Sequence, residues 1–72
     1  MIHADFIRSL VTRRPFEPFT LHLSGGVVYK VRHPETVAVG KQRLVVVDSE
    51  TDQMAVCSLL HLTSIQTAQS MQ

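Results

Sequence analysis

Four histidines, one cysteine and a scatter of carboxylates are the residues through which this chain could do chemistry. His22, His33 and Glu35 are the best grouped of them. Two imidazoles and a carboxylate suffice to hold a divalent metal when they converge on one ion at about 2 Å. Nothing in their spacing enforces convergence, since no HxH, HxxxH or HExxH arrangement occurs among His3, His22, His33 and His61. The short stretch "VRHPETVAVG", residues 31–40, has a simpler reading. Pro34 has no N–H to give a strand ladder, so "HPE" marks a bend with polar residues turned to water. His22, His33 and Glu35 therefore form only a weak polar site, and no metal or cofactor is expected.

Nucleophilic catalysis finds equally little support. Cys57 lies in "AVCSL", an apolar context that protects a thiol instead of activating it. No serine stands in a GxSxG setting, and "SGG" at 24–26 lacks the following lysine of a phosphate cradle. The residue pattern points away from an enzyme.

Cations form the other candidate set. Arg8, Arg13 and Arg14 gather near the end of a first apolar segment, and Lys30 and Arg32 alternate on one side of a later one. Repeated around a symmetric assembly they would make a basic surface for RNA or for an acidic partner. The formal net charge is only +1. All seven Lys and Arg residues lie at or before Arg43, whereas "DSETD" at 48–52 concentrates acids in what reads as a solvated turn. Tyr29 is the one aromatic on the basic segment, and its alternation sends it inward, away from any stacking role.

The elements that position these residues follow from periodicity. Ile2, Phe6, Ile7, Leu10 and Val11 fall on one helical stripe, predicting a helix over about 2–13 that ends before Pro15. Asp5 near its start and Arg13 and Arg14 near its end suit the helix dipole. After "RPFEPF", where Phe16 and Phe19 can pin the link, the period becomes two. Phe19, Leu21 and Leu23 form one face. "SGG" turns the chain, and Val27, Tyr29 and Val31 continue the same face. "TVAVG", "RLVVVD", "QMAVCSL" and "LHLTSIQ" read as further strands. Residues 54–68 also fit a helical stripe through Leu59, Leu60 and Thr63, and strands are the preferred assignment there. The predicted fold is mainly β: an N-terminal helix, then a small, strongly bent antiparallel sheet or barrel of five or six strands over about 19–66, with a frayed end at 67–72.

At 72 residues this is one domain with a thin core. A single cysteine rules out an internal disulfide and suits a reducing compartment. No signal peptide or membrane span is visible, so a soluble, cytoplasmic protein is expected. "LVVV" and "MAVCSLL" are apolar on both faces, and a thin core covers only one. The other face has to meet the helix or another subunit, which predicts a homo-oligomer.

The segment "RRPFEPFTLHLSGGVVYKVRHPE", residues 13–35, resembles a widespread set of small uncharacterised bacterial proteins, which brings no function with it. More distantly, the order of elements is similar to the Sm-like (SH3-like barrel) fold, in which a helix precedes a bent five-stranded barrel and strand pairing between subunits builds RNA-binding rings. "LHLSGGVVYKV" stands where that fold has its first hairpin, and "CSLLHLTSIQ" where it has its last two strands. The aspartate-and-asparagine signature of the Sm uridine pocket is missing from "HPETVAVGKQ", as is the lysine-histidine pair of the bacterial RNA chaperones. The functional expectation is a non-enzymatic oligomerisation or protein-interaction module with an unknown protein partner. The alternative is an Sm-like RNA-binding ring.

Overall fold

The computed structural model describes residues 2–67. It is mainly β, with one helix followed by six antiparallel strands in two three-stranded sheets. Helix α1 spans Ala4–Thr12, two residues shorter at its start and one at its end than the apolar stripe predicts. Arg13 is already extended, with φ −67° and ψ 150°, so the helix stops two residues before Pro15 and neither Arg13 nor Arg14 belongs to its last turn. Ile7 and Leu10 turn into the core, with Ile2 and Val11 packed beside them. Phe6 does not join them: it is 51% exposed, because a stripe this wide exceeds what a short helix can bury against one small core.

Strands β1 (Phe19–Leu23) and β2 (Val28–Val31) form the hairpin around the glycine pair. The connection is a tight turn at Ser24–Gly26 whose glycines leave helical backbone angles, closed by the Leu23 N–H donating to the Val27 carbonyl at 2.8 Å. Gly25 and Gly26 both have φ of +83°, which explains why glycine stands at each position. Phe19, Leu21, Tyr29 and Val31 face inward as the alternation predicts. Val27 remains in the turn and stays exposed.

"HPE" is a bend, and it carries the chain from one sheet to the other. Pro34–Thr36 make a 3₁₀ turn, with the backbone N–H and hydroxyl of Thr36 both donating to the His33 carbonyl. Strands β3 (Val37–Val39), β4 (Arg43–Val47) and β5 (Met54–Ser58) then meander as the second sheet. The ambiguous segment resolves into strands: β5, one 3₁₀ turn at Leu59–His61, and β6 (Leu62–Thr67). The helical spacing of Leu59 and Leu60 is used for that single turn only. Strand β6 returns to pair with β1, giving the orders β2-β1-β6 and β3-β4-β5. Thr67 closes β6, so the sheet reaches one residue past the predicted end, and the rest of the expected frayed end, 68–72, lies outside the described residues.

One core joins the layers: Ile7 and Leu10 from α1, Phe19, Leu21 and Val31 from the first sheet, and Val37, Leu44, Val46 and Cys57 from the second. Leu59 and Leu62 close it at the last corner. Phe16 anchors the link to it, its ring 6.0 Å from that of Phe19.

Candidate interface at the open strand edges

The weak polar site does not assemble. His22 lies in mid-β1 opposite Val28, at the far end of β2 from His33. Its Nε2 is 3.2 Å from the Gln66 Oε1 on β6, and its carbonyl accepts from the Thr63 hydroxyl. His33 and Glu35 are exposed at the bend. Among the described residues, no three or more His, Cys, Asp or Glu side chains are grouped so as to hold a metal ion.

The cations divide into two places. Arg8 donates to Asp5 at 2.7 Å and to the carbonyls of Val39 and Gly40, tying α1 to the β3–β4 turn. Arg13 pairs with Glu17 at 3.1 Å. Arg14 donates to the carbonyls of Val11 and Arg13 at the helix end, where the orphan carbonyls need donors. Lys30 and Arg32 do come together, beside a shallow depression of about 400 Å³ that Thr20 and Gln66 also line. Arg32 is engaged by Glu50 at 2.9 Å, leaving Lys30 without an ion-pair partner among the described residues.

More consequential are the edges themselves. Strand β5 pairs with β4 on one side, and no described strand takes its other side; β2 likewise pairs only with β1. Tyr29 lines two depressions that relate these edges, one of about 310 Å³ shared with Val27, Val56 and Cys57 and one of about 380 Å³ shared with Asp48 and Glu50. Each depression has a polar link at its margin: Ser24 Oγ and His61 Nδ1 approach to 3.4 Å at one, and Arg32 meets Glu50 at the other. Beside them stand apolar side chains that water would not be expected to keep. Met54 is 68% exposed, Val56 63% and Val28 46%. The open edge of β5 is about 17 Å long at roughly 3.4 Å per residue.

Sequence periodicity reveals the apolar strands but not which of them lies at an edge. That depends on β6 crossing back to β1, a pairing that runs from Phe19 with Thr67 to Leu23 with Leu62 and joins distant parts of the chain. Lys41 and Arg43 also escape a reading by composition, because they flank what looks like an ordinary turn. Burial raises the Cys57 thiol above its usual range, in keeping with a protected group. No helix among the described residues is long and apolar enough to cross a membrane. No family model, no curated protein and no solved structure matches the chain.

Proposed function

We propose that the protein is a non-enzymatic assembly module, a small β domain that associates with copies of itself through its open strand edges, β5 above all. One observation carries this reading: no described strand pairs with the free side of β5, and the strand beside that open backbone edge carries Met54 and Val56, among the most exposed apolar side chains of the described residues. An edge strand left in that state is a template for another strand, and natural monomers blunt such edges with charge, proline or a covering loop. Strand β5 has none of these. Strand β6, one of the two outer strands of the other sheet, is the complementary edge of a second copy. The Sm-like resemblance enters the proposal here, since such a fold joins subunits edge to edge into closed rings.

Amide hydrogen exchange tests the reading directly. Concentrating the protein slows exchange at alternate residues of Met54–Ser58 and Leu62–Thr67 beyond the protection that β4 and β1 supply. Exchange independent of concentration at both edges contradicts it.

RNA binding is the second reading, favoured by Lys30 and Arg32 meeting beside one depression. Labelled oligo-U and oligo-A titrations at two salt concentrations separate the two. Tight binding that weakens steeply with salt supports the RNA reading. The assembly reading predicts no binding even at low salt, because four of the five candidate cations already engage carboxylates or carbonyls.

A further inference from the structure

The second sheet has an outer face as apolar as its inner one. Cross-strand register places Ala38, Val45 and Val56 in one row and Val47 and Met54 in the next, all on the side away from Leu44, Val46 and Cys57. Residues directly opposite across a ladder share a face, so these five side chains form one continuous patch. Ala38, Met54 and Val56 are exposed, and Val45 and Val47 are half-buried.

The ends of the patch are oppositely charged. Arg43 sits beside Ser58 at one end of the β4–β5 ribbon with Lys41 in the adjoining turn; neither has an ion-pair partner among the described residues. At the other end, the turn over 48–53 holds Asp48, Glu50 and Asp52, of which only Glu50 has an ion-pair partner among the described residues, Arg32. A ribbon basic at one end and acidic at the other is complementary to itself when turned end for end.

We propose that this face packs against the same face of a second copy, the two β4–β5 ribbons antiparallel about a two-fold axis near Val45. Lys41 and Arg43 of each copy then lie over the acidic turn of the other, and the apolar rows close on each other. An isologous contact of this kind pairs subunits and terminates. It goes beyond the strand-edge reading, because it uses the face of the sheet and leaves the β5 edge free. Two strands about 17 Å long and a third of about 10 Å, spaced about 4.8 Å apart, make a small patch, so the contact belongs with weak, transient interfaces.

Sedimentation equilibrium over a wide concentration range tests the proposal with two variants. Val45→Lys puts two ammonium groups together at the two-fold axis and is expected to halve the limiting mass, whether the remaining species is an edge-built assembly or a monomer. Lys41→Glu with Arg43→Glu makes both ends acidic and touches no packed residue, so it carries the test should Val45→Lys fail to fold. It is expected to weaken association about tenfold at 0.1 M salt and much less near 1 M, where the screening length falls from about 10 Å to about 3 Å. Wild-type and variant masses that coincide at every concentration overturn the face-to-face contact. Hydrogen exchange at the β5 edge, which this contact leaves unchanged, tells its failure apart from failure of the edge reading.

Discussion

Cys57 sits under the second sheet with 8% of its surface exposed, and burial alone raises its pKa. The folded state therefore keeps its proton at a pH where the unfolded chain has begun to release it. Protons bound in excess by the folded state make stability fall as pH rises. The fall begins near the ordinary thiol value of about 8.5 and continues until the folded thiol itself ionises. Denaturant melts of wild type and Cys57→Ala across that range should show a downward slope present in wild type and reduced in the variant. Equal slopes would contradict the assignment. The sequence conveyed this much correctly, because an apolar neighbourhood is readable from adjacent residues. The same local logic failed at Phe6, whose place on the stripe says nothing about how much core is available to receive it.

At the scale of elements, turns were the most legible features and pairings the least. Two glycines, one proline and the "DSETD" cluster each encode a backbone preference that acts within a few residues, and each marks a real turn. In the last of these, Asp48 Oδ1 accepts from the backbone N–H groups of Glu50 at 2.8 Å and Thr51 at 3.3 Å, while the Asp48 N–H donates to the Gln53 carbonyl. Asp48→Ala removes both side-chain contacts from an exposed turn and is expected to cost about 1 kcal/mol by urea denaturation. An unchanged midpoint would mean that the turn is held by the β4–β5 ladder alone. Strand order, by contrast, depends on contacts between distant residues. The pairing of β1 with β6 determines which edges remain open, and nothing within either strand announces it. The candidate sites suffered in the same way. Lys30 on β2 and Arg32 just past its end were legible together, whereas the arginines on and just after α1 have partners supplied by Asp5, Glu17 and carbonyl groups.

At the scale of the whole molecule, a domain of this size buries only about 60% of the surface its unfolded chain exposes, and its margin of stability is correspondingly small. Among the described residues eleven apolar side chains make the core, while Met54 and Val56 on the outer face of the second sheet and Leu60 beyond it stay largely exposed. Without a disulfide to restrict the unfolded state, association is the remaining way to put that surface to use. Light scattering behind a sizing column measures it most directly. Association predicts a mass that is a multiple of the 8.1 kDa chain and that rises with concentration towards a limit. A single species at the chain mass across the whole concentration range would contradict it.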